Sequence, residues 1–257
     1  MKKLFVFDLD DTLMDNVHDY AEPILQSCRV IIEELKSAAP HVSVIVALEE
    51  EIDLARRSQV NPNTGKTYGY SMERFPGSLA ETYRQICARA GVDVKNSTER
   101  ALYNIGLGAF SGKSYANNIK PDASEVINFI KSQWGSVVIY TAGDSTVQSR
   151  KIEVLRQVGR ISFDDVRIVD KKSQSDFESL KESVVVRHRC SSFYSIGNNY
   201  KSDIVPALEA GYRGIYIPVE TWETIGKMDG ILDEVNQERC LVFHSLAEIK
   251  EKYSELK

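Results

Sequence analysis

Asp8-Leu9-Asp10-Asp11-Thr12 directly follows the apolar run Leu4-Phe5-Val6-Phe7 near the start of the chain. Two carboxylates one residue apart after a strand can divide a covalent hydrolysis between them. One attacks the electrophile and forms an intermediate. The other protonates the leaving oxygen and later deprotonates water. Three more groups stand at equivalent places further on. Thr141-Ala142 follows Val137-Val138-Ile139-Tyr140, Lys171-Lys172 follows the run from Val166 to Val169, and Gly197-Asn198 follows the run from Phe193 to Ile196, with Asp203 shortly beyond.

These parts fit phosphoryl transfer to a carboxylate. Nucleophile and substrate are both anions, so a lysine and a magnesium ion are needed to offset their repulsion. Magnesium takes a few carboxylate oxygens, phosphate oxygens and waters, all of which such a site offers. Thr141 and the backbone amides beside it, at Ala142 and the helix start that follows, suit the phosphoryl oxygens. Either lysine of the pair fits the third place, because the pattern does not fix the loop register to one residue.

The elements that must position these groups are legible in the hydrophobic pattern. Leu4 to Phe7 reads as a strand buried on both faces. From about Asp15 to Asn117 the pattern is helical, with helices predicted around Ile24–Leu35, over Val44–Arg57, and over Leu79–Ala90 with Gly91 closing the last. From Pro121 onward strands and helices alternate. Pro121 opens a helix with Val126, Phe129, Ile130 and Trp134 on one face, stopped by Gly135. A helix runs to Val158 after the second strand, another ends at Gly211, and Ile215–Ile217 and Leu241–Phe243 complete the strands. This predicts an α/β fold: a Rossmann-like parallel sheet with helices on both faces, built from residues 1–14 and 118–257. A mainly α-helical domain over 15–117 is inserted into it. In such sheets ligands gather at the carboxyl ends of the strands, where the groups above lie.

Composition narrows the function. The chain has 257 residues, 42% hydrophobic and 27% charged, the makeup of a globular protein rather than a disordered one. Its net charge of −5 argues against an electrostatic grip on nucleic acid or anionic membrane. The four cysteines, Cys28, Cys87, Cys190 and Cys240, form no C-x-x-C pair, which argues against a zinc site and a disulfide framework. The opening apolar run is too short for a signal-peptide core, so a cytoplasmic protein is expected. Among the histidines, His188-x-Cys190 lacks ligand partners, and His18, His41 and His244 are isolated.

The motifs together resemble those of the haloacid dehalogenase-like hydrolases, over nearly the whole chain. Asp8-x-Asp10-x-Thr12 is similar to the first motif of that family, Val138-Ile139-Tyr140-Thr141 to the second, Lys172-Ser173 to the third, and Gly197-Asn198-x-x-x-x-Asp203 to the fourth. At roughly 1 in 20 for each named residue, D-x-D-x-T alone arises by chance in about 3% of chains this long. Four motifs in order are far more specific. The resemblance implies that the inserted helical block is a cap domain, that Asp8 is the nucleophile and first magnesium ligand, and that Asp10 is the general acid/base whose backbone carbonyl is a second ligand. It also implies that Thr141 and Ala142 bind the phosphoryl group and that Lys172 steadies both nucleophile and phosphate, with Lys171 as its rival. The family often has an aspartate where this chain has Asn198. An amide oxygen brings less charge to a metal, so Asp203 carries more of the load, and either residue suits the direct ligand.

The activity so implied is a magnesium-dependent phosphatase for a small phosphorylated metabolite, acting through an aspartyl-phosphate, as a monomer or weak homodimer. A 2-haloacid dehalogenase of the same superfamily is an alternative, but similar enzymes keep no aspartate at position 10. A phosphotransferase or mutase, and a non-catalytic phosphate-binding module, are further alternatives. In the helical block Arg56, Arg57, Lys66, Arg74 and Tyr68 suit substrate contacts, with nothing to choose among them.

Overall fold

The computed structural model describes residues 2–188, 190–221, 227–233, 235 and 238–256; the His188 side chain lies outside the described residues. The chain divides into two compact units, residues 1–16 with 115–257, and residues 17–114.

The first unit is built on a parallel sheet. Its strands are β1 (Lys2–Phe7), β2 (Ser136–Ala142), β3 (Asp165–Val169), β4 (Cys190–Gly197), β5 (Arg213–Tyr216) and β6 (Cys240–Val242). The order across the sheet is β3-β2-β1-β4-β5-β6, and every pairing is parallel. β1 is central, with Phe7 opposite Ile139 on one side and Ile196 on the other. Its side chains alternate between two packed faces, as a strand's period of two requires. Leu4 and Val6 pack with Phe177, Leu180, Ala207 and Tyr212. Phe5 turns the other way and stacks on Tyr194 and Tyr253, the latter meeting Phe129 edge-on. From Leu4 to Phe7 the strand has no polar face, hence the unbroken apolar sequence of that stretch.

The helices of this unit are α5 (Ala123–Ser132), α6 (Ser145–Gln157), α7 (Gln174–His188), α8 (Val205–Glu209), α9 (Met228–Asp233) and α10 (Ala247–Glu251); those of the second unit are α1 (His18–Leu35), α2 (Val42–Arg56), α3 (Arg74–Ala90) and α4 (Asn96–Leu107). The parallel α/β architecture expected from the sequence is present. One local expectation needs correction. Trp134 does not extend the buried face of α5: the helix ends before it, Trp134 takes φ 61°, and it is 83% exposed. The chain reverses here because Gly135 must pass close to Ile130; a Cβ on Gly135 would lie 2.5 Å from Ile130 Cγ2. The helix after β4 begins with a π-helical turn over Tyr200–Ile204 before α8.

The helical unit has its own core. Ile24, Ile31, Ile45, Leu48, Phe75 and Leu79 are among its buried residues. Glu49 is buried beside them, and with Ser27 it lines a small cavity. Among the described residues neither Glu49 Oε1 nor Ser27 Oγ has a hydrogen-bond partner. Burial, reinforced by the charge of Asp53, pushes the Glu49 carboxyl up to about 8. Among the described residues no helix is long and apolar enough to cross a membrane.

Candidate active site

The first strand hands its register to the site. The Asp8 amide still donates to Ile196 O at 2.9 Å, so Asp8 is fixed to the sheet, and the chain then turns back on itself. Leu9 O accepts from the amides of Leu13 and Met14, and Asp11 takes a left-handed conformation with φ 58°. Asp tolerates this conformation better than most residues. Asp11 is a buried loop residue whose carboxylate accepts the Asn16 amide at 2.8 Å. The turn directs Thr12 toward the strand ends. Its hydroxyl lies 3.1 Å from Asp8 Oδ2 and 3.3 Å from Asn198 Oδ1, with one proton to donate.

Of the two candidate lysines, Lys172 enters the site and Lys171 is exposed. Lys172 Nζ donates to Asp8 Oδ1 at 2.6 Å and to Asp203 Oδ1 at 2.8 Å. Burial works against the Lys172 charge, but Asp203 and Asp8 outweigh it and hold the ammonium above the ordinary lysine value. Burial likewise pushes the Asp8 carboxyl up to about 7, with Lys172 pulling it down and Asp203 and Asp10 adding repulsion. Asp8 and Asp203 thus share one buried lysine, and an unpaired excess of negative charge in such surroundings favours a proton or a cation.

Asp203 is held on every side. Its Oδ1 also accepts from Ser202 Oγ at 3.0 Å, its Oδ2 from the Asn199 amide at 2.9 Å, and its own carbonyl from Ser195 Oγ at 2.7 Å. The π-helical turn carries it back against Gly197.

Thr141 lies near the end of β2, followed by Ala142 and the start of α6. That helix is capped by Asp144, whose carboxylate accepts the amides of Thr146 and Val147 at 2.9 and 3.2 Å. Thr141 Oγ1 is buried and has no hydrogen-bond partner among the described residues. An unmade hydrogen bond at a buried hydroxyl is costly, so the group is poised for an acceptor that arrives with a ligand.

Asp10 is held from α6, which the sequence reading did not find. Lys151 Nζ donates to Asp10 Oδ1 at 2.6 Å, and Gln148 Nε2 to Asp10 Oδ2 at 2.7 Å. Both partners are nearly fully buried. Their i, i+3 spacing places them on one face of the helix.

Oxygen donors that a hard cation could use are present at the strand ends. Asp8 Oδ2 and Asn198 Oδ1, both hard oxygen donors, each lie within hydrogen-bond distance of the Thr12 hydroxyl, at 3.1 and 3.3 Å. Among the described residues no group of three or more His, Cys, Asp or Glu is gathered for a metal. Carboxylate and amide oxygens are donors of the kind magnesium takes beside waters and phosphate oxygens.

No family model and no curated protein matches the chain in sequence. Solved structures do match its fold. A haloacid dehalogenase-like family hydrolase from Xanthomonas campestris is similar at 19% identity and TM-score 0.63, covering 99% of this chain and 96% of that one. The HAD hydrolase YfnB from Bacillus subtilis, bound to magnesium, is similar at 15% identity and TM-score 0.56, over 100% and 99%. The L-2-haloacid dehalogenase from Xanthobacter autotrophicus is similar at 14% identity and TM-score 0.53, over the full length of both. The chain therefore has the fold of the haloacid dehalogenase-like hydrolases.

Proposed function

We propose that the protein is a magnesium-dependent phosphatase that hydrolyses a small phosphorylated metabolite through an aspartyl-phosphate on Asp8. The observation that carries this reading is the pair of strand-end carboxylates in different surroundings. Asp8 is buried against Lys172 and Thr12, whereas Asp10 is held by Lys151 and Gln148. Two carboxylates kept apart in environment are suited to separate roles as nucleophile and proton carrier.

An Asp8 oxygen attacks phosphorus, the bond to the leaving oxygen breaks, and Asp10 gives that oxygen its proton. Asp10 then takes a proton from the water that attacks the phosphorus, which releases phosphate and restores Asp8. The buried Thr141 hydroxyl, with the amide of Ala142, binds the phosphoryl oxygens, and Lys172 offsets the charge gathered between substrate and nucleophile. Asp8, the Asp10 backbone carbonyl and Asn198 would hold the magnesium ion, with Asp203 adding charge behind Lys172. When bound, the ion supplies electrostatic neutralisation of the phosphoryl oxygens. The helical unit is the cap and the source of substrate selectivity, and its insertion after the first motif supports that role.

A 2-haloacid dehalogenase is the second reading, and the dehalogenases among the similar structures support it at least as well as a phosphatase. What favours the phosphatase is Asp10. Halide leaves without a proton, so the proton-donating half of the Asp10 role has no counterpart in that reaction, and only the activation of water would remain for it. A phosphotransferase would differ only in the acceptor that replaces water. The test is hydrolysis of p-nitrophenyl phosphate with and without magnesium, beside halide release from 2-chloropropionate, for wild type and Asp8→Asn. Magnesium-dependent phosphate release lost in the variant supports the proposal; halide release alone supports the dehalogenase.

A further inference from the structure

Lys151 touches three parts of the α/β unit at once. Its ammonium donates to Asp10 Oδ1 at 2.6 Å and to Asn16 Oδ1 at 2.6 Å, and it lies 5.5 Å from the centre of the Tyr115 ring. Asn16 is the last residue of this unit before the chain leaves it, and Tyr115 is the first after the chain returns. The two crossings are themselves tied: Met14 bridges Ile119, and the Asp15 amide donates to Asn118 O at 2.7 Å.

A lysine nearly fully buried in a polar cluster is an expensive feature, and a solvated helix face would not need one. Gln148 is just as specific. It is pressed against Gly143, where a Cβ would lie 2.6 Å from Gln148 Nε2, and φ of 155° there also disfavours any side chain. The chain is therefore shaped to let Gln148 reach Asp10.

We propose that Lys151, assisted by Gln148, is the positioning residue for Asp10, and that it fixes the Asp10 carboxylate to the two chain crossings. This rests on the reading of Asp10 as proton carrier. Lys151 stands beside the oxygen on which negative charge appears when Asp10 has given up its proton, so it favours that transfer as well as aiming it. The two amide-type partners, Gln148 and Asn16, keep the ammonium and the carboxylate from rotating independently.

The experiment compares kcat on p-nitrophenyl phosphate, whose leaving group needs little protonation, with kcat on phenyl phosphate, whose leaving group needs more. It uses wild type, Lys151→Met, Lys151→Arg and Asn16→Ala. Lys151→Met is expected to lose at least about tenfold more on phenyl phosphate than on p-nitrophenyl phosphate, within the range of a general-acid effect. Lys151→Arg should recover part of the difference, and Asn16→Ala should show a smaller loss in the same direction. A merely structural role would lower both substrates equally, and that result overturns the proposal. If Lys151→Met does not fold, the Asn16→Ala ratio decides alone. If wild type hydrolyses neither ester, the phosphatase reading fails, and crystal structures of wild type and Lys151→Arg decide this inference separately. A displaced Asp10 carboxylate upholds it, and an unmoved one overturns it.

Discussion

Gly197 and Asp203 are packed so closely that a Cβ on Gly197 would lie 2.3 Å from Asp203 Oδ2 and 2.4 Å from Asp203 Cβ. The glycine is what lets Asp203 fold back over the end of β4 and meet Lys172, and through Lys172 it sets the surroundings of Asp8. Gly197→Ala is therefore expected to displace Asp203 and cost activity by roughly tenfold or more, since small misplacements of a catalytic group are expensive. Circular dichroism should show an intact fold beside that loss; unchanged kinetics would contradict the relationship.

Asp203→Asn tests the charge balance from the other side. It leaves the buried Lys172 ammonium with Asp8 as its one remaining carboxylate partner among the described contacts. Removing one member of a buried ionic network destabilises by about 3–5 kcal/mol. A drop of that order in urea denaturation is expected, with weaker magnesium dependence of any turnover.

The cap of α6 carries a smaller, separable effect. Asp144 accepts two amides at the helix start. Asp144→Ala is expected to lose about 1 kcal/mol of stability, the usual worth of an N-cap. Because α6 also carries Gln148 and Lys151, turnover should fall with it; thermal denaturation and steady-state kinetics on the same sample check both.

Glu49 predicts a pH dependence for the helical unit. Its carboxyl is pushed from the ordinary value of 4.5 up to about 8 by burial and by Asp53, so the folded state holds the proton more tightly than the unfolded chain. This contribution is fully present below about pH 4.5 and is lost as pH rises through about 8, with an upper bound of about 5 kcal/mol. Melting temperature attributable to this unit should fall between pH 5 and 8, and Glu49→Gln should flatten that slope. A wild-type slope that the variant leaves unchanged would contradict the assignment.

Much of the frame was legible because it rests on local patterns. The apolar run Leu4–Phe7 followed by Asp8, a second strand carrying Thr141 near its end, and a fourth run followed by Gly197-Asn198 each announce a buried parallel strand and the polar group at its tip. The choice between Lys171 and Lys172 was not legible, because it depends on how the chain leaves β3. Lys151 and Gln148 escaped notice for a different reason. Their partner Asp10 lies 141 and 138 residues away in sequence. On α6 a Gln-x-x-Lys pair reads as a solvated face. The available signal was that Gln148 and Lys151 fall beside Val147, Ile152 and Leu155, on the side of the helix that is buried. Trp134 misled in the opposite sense, since its apolar character fits the α5 stripe while Gly135 forces the chain out of the helix before it.

The most direct test of attack at phosphorus rather than at carbon is turnover of p-nitrophenyl phosphate in water enriched in oxygen-18, followed by mass analysis of released phosphate and of the peptide containing Asp8. Water attacking the phosphorus of an aspartyl-phosphate places the label in phosphate and leaves Asp8 unlabelled, which is the expected result. Label accumulating in the Asp8 carboxylate during turnover of 2-chloropropionate, with no phosphate released from the ester, would contradict it and establish attack on carbon instead.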